Sequence, residues 1–89
     1  MTINEAFRKV EDIVSDNLLG DWTNLSIRIN RFRYNISLVY NVDDYGYTIL
    51  NAIISIPDYE TAIKMSEKDY IFLEELNDRL KNVDFENYY

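Results

Sequence analysis

The chain has 89 residues, 47% of them hydrophobic, with no cysteine, no histidine and a formal net charge of −7. That is the size of one domain, able to bury roughly 60–65% of its unfolded surface, and it excludes disulfides, thiol chemistry and histidine-based metal or acid–base sites. A surface this acidic repels phosphate backbones and so disfavours direct nucleic-acid binding.

Met1-Thr2-Ile3-Asn4-Glu5 lacks the basic and apolar regions of a secretory leader, and no apolar run reaches the ~18 residues of a membrane span. The expectation is a cytoplasmic protein without membrane contact. Thr2 and Glu5 form a T-x-x-E capping box. Ile3, Phe7, Val10, Val14 and Leu18 follow at helical spacing, and Gly20 is a stop, which predicts a first helix over 3–19. Trp22 is expected to fold back over the helix–sheet junction.

Leu25, Ile27 and Ile29 alternate with polar residues, as do Tyr34, Ile36, Leu38 and Tyr40, but the apolar parity changes from odd to even between the two runs. A single unbroken strand would put one set on the wrong face, so a turn or a bulge is expected near Asn30–Arg33, and a hairpin is the preferred reading, with Asn30 the residue most tolerant of positive φ. A second turn falls at Asp43-Asp44-Tyr45-Gly46. Tyr47–Ile56 is the most apolar stretch and reads as a central strand, ended by Pro57. Its even face (Thr48, Leu50, Ala52, Ile54, Ile56) is expected to be core.

Glu60–Met65 fits a fourth strand or a helical turn, and the alternation of Tyr59, Thr61, Ile63 and Met65 with Glu60, Ala62 and Lys64 favours the strand. Ser66 and Asp69 mark a second helix N-terminus, and Tyr70, Leu73, Leu76, Leu80 and Val83 continue it over 67–82. Glu75 and Arg79 are placed for an i,i+4 ion pair. The expected fold is therefore α+β in the order αββββα: one domain over 1–89, a four-stranded antiparallel meander with two helices on one face, and residues 83–89 as a tail.

Charge is unevenly distributed along the chain. Residues 1–21 hold five acids and two bases, residues 22–42 hold three arginines and no acids, and residues 43–89 hold eleven acids and four bases. With two glycines there is no phosphate-binding loop or dinucleotide fingerprint. Carboxylates adjacent in sequence on a helix point about 100° apart and do not converge. No cofactor or metal is expected, and the chain reads as a non-enzyme. Arg28, Arg31 and Arg33, interleaved with Phe32 and Tyr34, have the composition of a nucleic-acid patch, but the acidic balance favours arginines on a polar face and aromatics in the core.

Two candidate surfaces remain. Asp43, Asp44, Glu74, Glu75, Asp78, Asp84 and Glu86 form an acidic surface. Acids three or four apart on a helix lie about 5–6 Å from one another, of the order of phosphate spacing along a strand. Such a surface suits occupation of the basic groove of a larger protein, a nuclease or other nucleic-acid enzyme, by an inhibitor of the phage-antidefence or toxin-immunity kind. The alternative is an apolar island of Val39, Tyr47, Ile49 and Ile53 on the sheet's second face, which would make a homodimer or dock on a partner.

Overall fold

The computed structural model describes residues 1–16 and 24–82, apart from the side chains of Asp43, Tyr47 and Thr48. The element order is α1 (Ile3–Asp16), β1 (Ser26–Ile29), β2 (Phe32–Asp43), β3 (Gly46–Ser55), α2 (Tyr59–Lys64) and α3 (Glu67–Lys81). The three strands form one antiparallel meander in the order β1-β2-β3. The expected leucine at 18, glycine stop at 20 and Trp22 fold-back, and Val83 with the tail, lie outside the described residues.

Both capping signatures form. The Glu5 amide donates to Thr2 Oγ1 at 3.1 Å and the Thr2 amide to Glu5 Oε1 at 3.4 Å. At α3 the Ser66 amide donates to Asp69 Oδ2 at 2.9 Å and the Asp69 amide to Ser66 Oγ at 3.4 Å. Each box satisfies amides that a helix start leaves without intrahelical partners.

The parity change between the first two strands is resolved by a two-residue hairpin. Ile29 pairs with Phe32, and Asn30 takes φ +55°. Gly46 has φ +126° after the second turn, a backbone conformation that costs a side-chain-bearing residue strain. Beyond β1, whose pairing ends at Ser26–Asn35, the β2–β3 hairpin continues to Asp43 and Gly46.

The expected fourth strand is a helix. Asp58 caps α2, its side chain accepting from the Thr61 amide at 2.7 Å, and the Lys64 ammonium reaches Glu60 at 3.1 Å. The alternation of Tyr59, Thr61 and Ile63 fits a strand equally well over so short a run, and the cap decides between them. No residue of α2 is buried, and Tyr59 is 81% exposed. The helix is tied down at its end by buried Met65 and by the Tyr70 hydroxyl, which donates to the Ala62 carbonyl at 2.6 Å.

α1 and α3 pack together on one face of the sheet. Ala6, Val10 and Val14 of α1 meet Leu73, Leu76 and Leu80 of α3 and the sheet residues Ile27, Ile29, Tyr34, Ile36, Ile49, Ala52 and Ile54 in a single apolar core. The expected Glu75–Arg79 pair does not form among the described contacts. The Arg79 guanidinium instead lies 4.4 Å from the centre of the Phe7 ring and donates to Asn4 Oδ1, joining α3 to α1. An exposed i,i+4 ion pair is weak, whereas a stacked guanidinium also buries its own apolar faces. No described helix is long and apolar enough to cross a membrane.

Candidate functional site

The two layers carry opposite charge. On α3 the residues opposite the buried Leu73, Leu76 and Leu80 are Glu67, Ile71, Glu74, Glu75 and Asp78, all exposed. On neighbouring α1, Glu5, Asp12 and Asp16 are exposed as well. The reason is the helical period: three of every seven positions face the sheet, and apart from the capping Asp69 and half-buried Glu11 the acids of both helices are exposed among the remainder. Of the five bases of α1 and α3, Lys68, Arg79 and Lys81 sit at the flanks of this stripe, with Arg79 drawn down onto Phe7, and Arg8 and Lys9 belong to α1.

The sheet face turned away from the helices bears Ser26, Arg28, Arg33, Asn35, Ser37, Val39 and Ile53, with no carboxylate among the described side chains of the strands. Arg33 Nη1 donates to Ser26 Oγ across the β1–β2 pair at 3.2 Å. No described element covers this face. Val39 and Ile53 are 38% and 42% exposed, and the pairing of Ser37 with Ile53 and Val39 with Asn51 makes them diagonal neighbours.

Ile49, expected beside them, is completely buried in the core. The cause is a register shift. Val39 pairs with Asn51 but Tyr40 pairs with Ile49, so Leu50 is an extra residue in β3. A bulge of one residue exchanges the two faces of a strand. Below it, Ala52 and Ile54 point to the helices; above it, Ile49 does. The odd–even division expected for the whole of 47–56 therefore breaks at Leu50, and of the expected apolar island the described side chains on this face are Val39 and Ile53. Asn51, next to the bulge, has its Oδ1 buried without a hydrogen-bond partner.

The expected acidic residues are not gathered in one place. Glu74, Glu75 and Asp78 share the outer face of α3, whereas Asp44 sits exposed in the β2–β3 turn at the end of the hairpin. Asp84 and Glu86, like the side chains of Asp43 and Tyr47, lie outside the described residues. Glu5, Asp12, Asp16 and Glu67 belong to the same acidic layer and were not singled out from sequence; a helical projection of α1 beside that of α3 would have raised them, but only the packing of the two helices makes one surface of both.

The interleaved arginine–aromatic segment comes apart. Tyr34 is buried, and burial pushes its phenol above the ordinary value, with the Asp69 charge and Tyr70 adding to the shift. Phe32 is half-buried with the Arg31 guanidinium 5.1 Å from its ring centre. The Tyr34 ring is therefore closed to a stacking base, and the two aromatics do not form a shared platform. Among the described residues no group of three or more acids converges as a cation site would require. The chain matches no protein-family model, no curated protein and no solved structure.

Proposed function

We propose that this chain is a non-enzymatic binding protein, an inhibitor of the antidefence or immunity kind, which lays the acidic outer face of α1 and α3 onto the basic surface of a larger nucleic-acid enzyme. The observation that carries this reading is the separation of charge between layers. Glu67, Glu74, Glu75 and Asp78 follow one stripe of a rigid helix, with Glu5, Asp12 and Asp16 on the helix beside it. From Glu67 to Asp78 the stripe runs about 16 Å at 1.5 Å per residue. Fixed carboxylates over that length present a basic groove with a charged edge in place of a phosphate strand. Ile71, 48% exposed in the middle of the stripe, supplies an apolar contact that a nucleic acid does not offer.

The test uses the protein immobilised on resin against extract of its native host. A retained nuclease or other nucleic-acid enzyme should be inhibited by the free protein, released as salt is raised, and no longer held by a chain carrying Glu74→Lys and Asp78→Lys. Retention that survives both high salt and the double reversal overturns the reading.

A second reading rests on the open sheet face. Val39 and Ile53, rimmed by Arg33, Asn35, Ser37 and Asn51, have the anatomy of a small interface core with a polar rim. In this reading the chain is an assembly module that pairs with itself or docks on a partner subunit.

A further inference from the structure

β3 stops pairing with β2 at Ser55–Asn35, and Pro57 then turns the chain away into α2. The first residues of β2 are left without a β3 neighbour. The space between them and α2 is a cleft of about 520 Å³, within the range of small-molecule sites. Arg31 from the hairpin turn, Arg33 from β2 and Lys64 from the last turn of α2 all line it. Three of the chain's nine cationic side chains thus converge on one concavity of a protein whose net charge is −7.

We infer that this cleft is a binding site for a small phosphate ester of about mononucleotide size. Both guanidinium groups are held in place by neighbours. Arg33 donates to Ser26 Oγ through Nη1 at 3.2 Å, and Arg31 lies over Phe32 with Nη2 3.6 Å from Asp69 Oδ2. Each keeps further N–H donors, and the planar fork of a pre-oriented guanidinium matches the oxygens of a phosphate. Two carboxylates share the lining, and both are engaged. Asp58 accepts from the Thr61 amide, and Glu60 pairs with Lys64. The Glu60–Lys64 pair is exposed on both sides, so a dianion can displace Glu60 from the ammonium at little cost. A bare phosphate would fill only part of the volume. Asn35 and Thr61, also in the lining, offer neutral partners for the hydroxyl groups of an ester. Phe32 also lines the cleft with Arg31 over its ring, and Tyr34 is buried, so there is no run of aromatic platforms along which a nucleic-acid strand could track, which favours a small ligand over a polymer.

This site is separate from the acidic helical face and stands or falls independently of it. The experiment is a titration of the ¹⁵N-labelled full chain with inorganic phosphate, adenosine monophosphate, adenosine and citrate at fixed ionic strength. Saturable shifts are expected at the amides of Arg31, Arg33, Asn35, Thr61 and Lys64. Adenosine monophosphate should bind more tightly than phosphate, with Kd about 1 mM or below. Adenosine should leave the spectrum unchanged. Arg33→Ala and Lys64→Gln, both at exposed positions, should each weaken binding about tenfold while the rest of the spectrum reports an intact fold. Shifts that do not saturate, or that neither substitution alters, overturn the site. Citrate binding as tightly as adenosine monophosphate with the same sensitivity overturns the assignment to phosphate.

Discussion

The carboxamide of Asn77 in α3 pairs with the backbone of Ile54 in β3 as a neighbouring strand would. Its Oδ1 accepts from the Ile54 amide at 2.8 Å, and its Nδ2 donates to the Ile54 carbonyl at 2.9 Å. β3 is an edge of the sheet, and an unpaired edge invites another chain. On the opposite edge the Lys9 ammonium of α1 donates to the Arg28 carbonyl of β1 at 2.7 Å. Each helix therefore contributes one side chain to an outer strand while its apolar stripe covers the sheet's face. Asn77→Leu should destabilise the protein by about 2–3 kcal/mol, because two part-buried backbone groups lose their partner. Urea unfolding of the variant against the parent measures this. A cost within error of zero would mean that water replaces the carboxamide.

Ile49 and Ile53 separate the core from the open face within one strand. Ile49→Ala should cost about 2–5 kcal/mol, since Ile49 is completely buried. Ile49→Asp should leave no folded protein, because a charge there would have no partner. Ile53→Asp should fold with a stability change of about 0.5 kcal/mol or less. If the chain associates through the open face, Ile53→Asp yields a folded monomer by light scattering. Equal damage from Ile49→Asp and Ile53→Asp would contradict the bulge at Leu50.

Acid sensitivity should pass through Asp69. The Ser66 backbone amide, opposed by burial and helped by the Ser66 hydroxyl and the Arg31 guanidinium, holds its carboxyl below the ordinary 3.8. Asp58 is lowered in the same direction, chiefly by the Thr61 amide. A carboxyl with a folded-state pKa below its unfolded one stabilises the fold above the unfolded value and loses that contribution as pH falls through the folded one. The stability of the parent should thus drop as pH falls from about 5 to below 3.8. Asp69→Asn should be less stable near neutral pH by about 0.5–2 kcal/mol, the range for a lost cap, and its acid limb should be shallower. Parallel urea midpoints for the two proteins across this range would show that Asp69 does not carry the effect.

Arg79 should couple to Phe7. Arg79→Lys keeps the charge but loses the planar stack and the donor to Asn4. A double-mutant cycle with Phe7→Leu should give a coupling of about 0.5–1 kcal/mol. The same cycle between Arg79 and Glu75 should give a value near zero.

The readable parts of this fold are those decided by neighbours in sequence. Thr2 with Glu5, and Ser66 with Asp69, place two helix starts because a capping box closes over three residues. The parity switch between Ile29 and Tyr34 requires a turn or a bulge to keep both sets inside, and Asn30, tolerant of positive φ, favours the turn. The outward direction of Glu74, Glu75 and Asp78 follows from the period of a helix whose leucines are buried. The run that forms α2 is ambiguous in sequence because six or seven alternating residues are compatible with both periods, and the Asp58–Thr61 cap is what selects the helix.

Composition and periodicity by themselves determined an acidic α+β chain, with no thiol or imidazole chemistry and with an acidic stripe on its last helix. Tertiary structure alone decided three things. Pairing of β3 with β2 set the register shift at Leu50 that drew Ile49 into the core, since a bulge records a fit between two strands and leaves no mark in either one. Packing of α1 on α3 merged two sets of carboxylates into one layer and moved Arg79 from Glu75 to Phe7. The departure of β3 at Pro57 brought Lys64 beside Arg31 and Arg33, residues some thirty positions away along the chain. Each depends on contacts distant in sequence, where local propensity carries no information.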